Sequence, residues 1–134
     1  MADTFTFELV SPERLLISED VESVVVPGSE GDFQVLANHA PVLATLRPGL
    51  LDVILPGGKE RRIYVRGGFA EAGPESLTVL AQTAIDSADL DKAALAQEIQ
   101  NAEEDVADAK DDAVRDTAQD NLDRLKLIKE SLGL

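Results

Sequence analysis

The sequence predicts an α+β protein, with a small β sandwich or barrel over residues 1–85 and a helical hairpin over 86–134. Three observations predict it. Up to Ala84, apolar and polar residues alternate in short runs, the period of half-buried strands. The runs are punctuated by the turn-forming pairs Pro27-Gly28, Pro48-Gly49, Pro56-Gly57 and Gly73-Pro74. From Ser87 to Leu132 there is neither proline nor glycine, and the apolar residues recur at helical spacing.

In chain order, Phe5, Phe7 and Leu9 alternate with Thr4, Thr6 and Glu8, a strand with one wet face, and Ser11-Pro12-Glu13 turns it. Residues 14–18 and 21–26 form a second extended region, split by polar Ser18-Glu19-Asp20; the run Val24-Val25-Val26 favours strand through β-branching. The stretch 27–49 organises the chain. Gly28 and Gly31 flank Ser29-Glu30, which predicts a tight, polar, exposed tip. Phe33 and Val35 alternate with Asp32 and Gln34 in a short strand. His39-Ala40-Pro41 follows, an extended connector because proline pushes the residue before it out of the helical region. Leu51, Val53 and Leu55 form the next strand, and Pro56-Gly57-Gly58-Lys59 a hairpin turn. Residues 61–66 return with Ile63 and Val65 on one face and Arg62, Tyr64 and Arg66 on the other. Gly67-Gly68 kinks or bulges this strand before Phe69, and 76–80 is the last strand.

Asp86, Ser87 and Asp89 are the candidate N-caps of the first helix. Leu95, Ile99, Ala102, Val106 and Ala109 line its face; Val114, Ala118, Leu122, Leu125, Ile128 and Leu132 line the second. Lys110-Asp111-Asp112 reads as the turn and Gly133 as the stop. The first face is mostly alanine. A buried methylene contributes about 0.8 kcal/mol and a buried leucine about 1.5–3 kcal/mol, so the second helix is expected to hold the hairpin, and its docking on the β domain is expected to be marginal.

The chain has 134 residues and a formal net charge of −14. Phosphate binding needs a concentrated basic surface, which argues against nucleic acid and anionic lipid as partners. With no cysteine, disulfide and thiolate chemistry are excluded. Residues 1–5 show no secretory signal, and no apolar run approaches the ~20 residues that span a bilayer. The expectation is a soluble, cytoplasm-facing protein without membrane insertion, held at any membrane by another protein.

Few residues offer chemistry. His39 is the single histidine; without a second histidine or a cysteine it has no companions for a metal site, so no metal and no cofactor are expected. It acts as a base or, more in keeping with a loop position, fixes its own turn by a hydrogen bond. Gly28-Ser29-Glu30-Gly31-Asp32 resembles a phosphate-cradling loop only in its glycines: it lacks the Lys-Ser/Thr and the following helix, and its two carboxylates repel phosphate. Arg61, Arg62 and Arg66 are too few for nucleic acid and are expected to pair with surface carboxylates or supplement an interface. The dense carboxylates of the helices read as a solvated face.

The S-E-G-x-(apolar)-x-(apolar) segment from Ser29, His39-Ala40-Pro41, Pro48-Gly49, Arg66-Gly67-Gly68-Phe69-Ala70-Glu71 and Leu80-Ala81-x-Thr83-Ala84, in this order, resemble the ε subunit family of the F-type ATP synthase. The resemblance covers essentially the whole chain. It implies an N-terminal β sandwich of about ten short strands, followed by an antiparallel two-helix hairpin. It further implies a non-catalytic central-stalk subunit on the cytoplasmic side of the bacterial inner membrane, linking the γ subunit to the c-ring and coupling proton flow to ATP synthesis. By the same resemblance His39, Ala40, Pro41 and Leu43 meet γ, and Gly28, Ser29, Glu30, Gly31 and Asp32 meet the polar loops of the c-ring. In several relatives the helices extend, contact the head's α and β subunits transiently and inhibit hydrolysis through basic residues. Residues 86–123 here carry 13 acidic and three basic side chains, so this hairpin is expected to be a poor inhibitor. Some members bind ATP through an (I/L)-D-x-x-R-A motif in the helices. The corresponding Leu90-Asp91-Lys92-Ala93-Ala94-Leu95 has Ala94 in place of the arginine, and Asn101 near the second basic position. Without guanidinium donors ATP binding is expected to be weak or absent. A nucleotide-sensing regulatory module and a free-standing ligand-binding domain or enzyme are the alternatives. ATP on the helices marks the first, a deep polar pocket in the β domain the second.

Overall fold

The computed structural model describes residues 3–134. One compact unit ends at Ser87 and a second begins at Ala88. The first holds eight strands: β1 (Phe5–Val10), β2 (Leu15–Val21), β3 (Ser23–Gly28), β4 (Gly31–Val35), β5 (Val42–Thr45), β6 (Gly49–Ile54), β7 (Glu60–Ala72) and β8 (Ser76–Asp86). They pair in the order β2-β1-β8-β7-β6-β3-β4, with β5 on β7. The pairing is antiparallel except between β1 and β8.

The long strands β7 and β8 make this path a sandwich. The first half of β7 pairs with β6, from Glu60 to Val65, and the second half with β5, from Phe69 to Ala72. The switch falls at Gly67-Gly68, where φ is 71° and 101°. The β7–β8 register is the same on both sides of the pair, so no residue is inserted: the strand is kinked and not bulged. Gly68 is required there because a Cβ would lie 1.8 Å from the Leu80 carbonyl oxygen. One layer is thus β5, the second half of β7, the first half of β8, β1 and β2; the other is the remaining halves of β8 and β7 with β6, β3 and β4. Eight strands stand where about ten were expected, because β7 and β8 each pass through both layers.

The alternation read in the sequence sets the core. Phe5, Phe7 and Leu9 of β1, Val24 and Val26 of β3, Leu51 and Val53 of β6, Ile63 and Val65 of β7, and Leu77, Val79 and Ala81 of β8 are buried in one cluster. β2 differs from expectation by running unbroken through Ser18-Glu19-Asp20. It is an edge strand, half exposed, and its main chain is held by β1 whatever its side chains are.

The second unit is the hairpin of α1 (Lys92–Asp108) and α2 (Asp112–Ser131), which pack on each other. The N-cap of α1 is Asp91, whose carboxylate accepts from the Ala94 N–H at 2.7 Å; Asp86, Ser87 and Asp89 do not cap it. β8 continues to Asp86, whose carboxylate is held by Arg61 at 2.8 Å, and Ser87 and Asp89 fall in the turn that follows. Asp111 caps α2 through the Val114 N–H at 2.8 Å, so the turn comprises Ala109, Lys110 and Asp111, and Asp112 is already helical. α2 ends in a Schellman motif: Gly133 (φ 70°) donates to the Glu130 carbonyl and Leu134 to that of Lys129. Leu95 and Ala102 of α1 are buried, against Ala118, Leu122, Leu125 and Ile128 of α2. No helix among the described residues is long and apolar enough to cross a membrane.

Candidate functional site

The ends of the stretch 27–49 meet. Pro48-Gly49 turns against Pro27, so closely that a Cβ on Gly49 would lie 2.5 Å from that of Pro27. β3 and β4 form a two-residue hairpin with Ser29 and Glu30 exposed at its turn, Gly31 taking φ 135°. A Cβ on Gly28 would strike the Gly31 carbonyl oxygen at 2.7 Å and the Phe33 ring at 3.1 Å. The two glycines thus serve different needs, close packing at Gly28 and backbone geometry at Gly31.

This tip stands beside β5. The Ser29 N–H donates to the Thr45 carbonyl at 2.8 Å and the two hydroxyls are 2.5 Å apart. Between tip and strand opens a shallow concavity of about 770 Å³, lined by residues 28–33, β5 and Phe69. Leu43 (68% exposed) and Phe69 (40% exposed) give it an apolar floor that no side chain of this unit covers fully. Leu43 opposes Glu71 and Thr45 opposes Phe69 across the β5–β7 pair, so these four residues share the outward face.

The sequence-predicted residues are only partly assembled here. Gly28 through Asp32 and Leu43 line the concavity; His39, Ala40 and Pro41 do not. These three lie on the connector between β4 and β5, which turns at Ala37-Asn38. Asn38 adopts φ 65°, and its N–H donates to the Pro74 carbonyl at 2.8 Å. His39 is half-buried, its Nδ1 2.6 Å from the Ala40 carbonyl oxygen. A carbonyl only accepts, so Nδ1 carries the proton and the imidazole fixes its own loop.

Arg61 bridges Glu19 and Asp86, and Arg62 bridges Asp52 and Glu60, while Arg66 donates to the Thr83 hydroxyl. The basic cluster therefore serves pairing between strands. Burial is the main cause that pushes the Asp52 carboxyl above its ordinary range; Arg62 opposes the shift, while Glu60 and Asp32 add to it. A second hollow, of about 440 Å³, brings Asp3, Asp20 and Glu75 together with Thr4 and Thr6, and the Thr6 hydroxyl donates to the Asp20 carboxylate at 3.4 Å, a long bond between paired strands. Among the described residues no group of His, Cys, Asp or Glu is arranged to hold a metal ion.

Residues 4–87 match the family described as ATP synthase, Delta/Epsilon chain, beta-sandwich domain. The chain is 53% identical over 132 residues to the ATP synthase epsilon chain of Parvibaculum lavamentivorans, covering 98% of this chain and 100% of that one. It is 51% identical over 132 residues to the epsilon chain of Mesorhizobium japonicum, covering 98% of each. This chain belongs to the ATP synthase epsilon chain family. The strand path and the hairpin of this epsilon-family chain also match a chain in the structure of the Euglena gracilis mitochondrial ATP synthase, OSCP/F1/c-ring, with a TM-score of 0.75 and 25% identity over 96% of this chain and 81% of that one. A match in the Tetrahymena thermophila mitochondrial ATP synthase central stalk/c-ring structure, TM-score 0.63 at 10% identity over 95% of this chain and 97% of that one, shows the same fold.

Sequence reasoning missed Phe33, Val42, Ala44, Thr45 and Phe69 of the concavity, and Arg47, which pairs with Asp32 of its lining. Phe69 carried a misleading signal: period-two alternation from Ile63 and Val65 runs it inward, whereas beyond the glycine pair Ala70 and Ala72 are buried and Phe69 is turned out. Thr45 and Arg47 carried none, because their partners, Ser29 and Asp32, lie 16 and 15 residues away.

Proposed function

We propose that this chain is a non-catalytic rotor subunit of the F1 sector. It joins the γ subunit to the c-ring on the cytoplasmic side of the bacterial inner membrane, peripherally, and so couples proton flow to ATP synthesis. The observation that carries this reading is the 53% identity to a bacterial ATP synthase epsilon chain across nearly the full length of both chains. In this reading the exposed tip, Gly28 to Asp32, meets the polar loops of the ring, and His39, Ala40, Pro41 and Leu43 meet γ. The apolar exposure of Leu43 and Phe69 beside a polar acidic tip suits two neighbouring contacts of different chemistry. Its mechanism is mechanical: both faces belong to one core-packed β unit, so load on one is borne by the other without a hinge between them.

The helices act as neither a nucleotide site nor an inhibitor in this reading. The Asp91 carboxylate is engaged in capping, Ala94 offers no side-chain donor, and Asn101 accepts from Gln97 at 2.9 Å. Thirteen carboxylates against three basic side chains over 86–123 repel an acidic partner segment. Stripping the chain from inverted membranes and adding it back tests the coupling role. ATP-driven proton pumping should fall on removal and return on addition; undiminished pumping in stripped membranes contradicts it.

A further inference from the structure

The β3–β4 hairpin overhangs its layer. β3 pairs with β6 at Ser23, Val24 and Val25, Pro27 still lies against Gly49 at the start of β6, and the hairpin runs on beyond that to its turn at Ser29-Glu30. The segment 45–47 supports this overhang: the Ser29 N–H donates to the Thr45 carbonyl at 2.8 Å, Gly28 bridges Leu46, and the Arg47 N–H donates to the Pro27 carbonyl at 3.0 Å. Arg47 also reaches across the hairpin, its Nη2 lying 3.0 Å from Oδ1 of Asp32. Pro27 and Asp32 oppose each other in the β3–β4 register. One residue thus grips both strands at the same rung, β3 by its main chain and β4 by its guanidinium.

We propose that Arg47 is the positioning residue of the tip: a staple that holds the overhanging hairpin against β5, so that Ser29, Glu30 and the apolar floor present one preset surface. This deepens the assignment of the tip to the c-ring and rests on it for its consequence in binding, but not for its mechanics. A free two-stranded overhang is marginal in water, and a surface that must be ordered at the moment of binding loses affinity to that ordering. A planar guanidinium anchored by its own backbone bond loses less freedom than a free lysine reaching the same carboxylate.

The test uses full-length chains: wild type, Arg47→Met and, as a substitution that leaves the buried stem of Arg47 in place, Asp32→Asn. Amide exchange at Ser29 reports the tip, and exchange at Gly58, whose N–H donates to the Leu55 carbonyl in a separate hairpin, is the internal control. Both variants should exchange faster at Ser29, by up to about fivefold for a surface ion pair, with Gly58 unchanged. High salt should speed Ser29 in the wild type and not in the variants, and Arg47→Lys should recover part of the protection. Unchanged exchange at Ser29 in both variants, or equal acceleration at Ser29 and Gly58, overturns the staple. Affinity for detergent-solubilised c-ring is measured alongside on Arg47→Met, because Asp32 is itself assigned to the ring contact. Faster tip exchange with weaker ring binding supports both readings. Faster tip exchange with unaltered ring binding supports the staple and overturns the placing of the tip on the ring.

Discussion

Gly68 and Asp52 carry constraints of opposite kinds. At Gly68 a side chain has nowhere to go, because the Leu80 carbonyl occupies the Cβ position and φ is 101°. Gly68→Ala should destabilise the β unit by more than about 2 kcal/mol, since strain and a backbone clash add. Gly73→Ala, where a Cβ meets nothing within 4 Å, should leave urea unfolding nearly unchanged. Asp52 is the reverse case, a group held in a form it disfavours. Its pKa is raised in the folded protein, so the folded state binds the proton more tightly than the unfolded chain. Its contribution to stability is therefore greatest below the ordinary carboxylate range and is lost as pH rises through the raised value. Asp52→Asn should raise Tm at neutral pH, and the gain should vanish in acid, where both states are protonated. A Tm lowered at pH 7 would show that the Arg62 ion pair outweighs the desolvation.

Among the elements, strands with a buried inner face were legible, the edge strand β4 included through Phe33 and Val35, and the full run of the edge strand β2 was not. Phe5, Phe7 and Leu9 announce β1 because the core demands period two. β2 is half exposed, so nothing in Ser18-Glu19-Asp20 revealed that it continues. The N-cap of α1 was misplaced for a related reason. Several carboxylates cluster before the helix, and only the main-chain geometry selects Asp91 over Asp86, which Arg61 keeps in β8. The tip of the candidate site was legible from Gly28 and Gly31, while its support by Thr45 and Arg47 was not, because that depends on tertiary pairing. Asp91→Ala and Asp111→Ala should each cost about 1 kcal/mol of helix stability, seen as faster amide exchange at Ala94 or Val114. Leu125→Ala should cost about 2–5 kcal/mol, enough to melt the hairpin in circular dichroism. Were the loss below about 1 kcal/mol, α2 would not be the arm that holds it.

Across the whole molecule, much of the acidic charge lies in the hairpin, with 13 acidic and three basic side chains over 86–123. In the proposed reading the hairpin's carboxylates repel acidic partners and its missing arginine leaves a triphosphate without guanidinium donors. A millimolar ATP titration should therefore give no saturable NMR shifts around Asp91 and Ala94. Removing residues 88–134 should leave hydrolysis by the assembled enzyme nearly unchanged; a large activation would make the hairpin an inhibitor after all. If the β unit works by binding, sedimentation of the full-length chain with purified γ subunit should give a stoichiometric complex that Leu43→Asp dissolves without unfolding the chain. A chain that sediments as a monomer beside γ at all concentrations would contradict it.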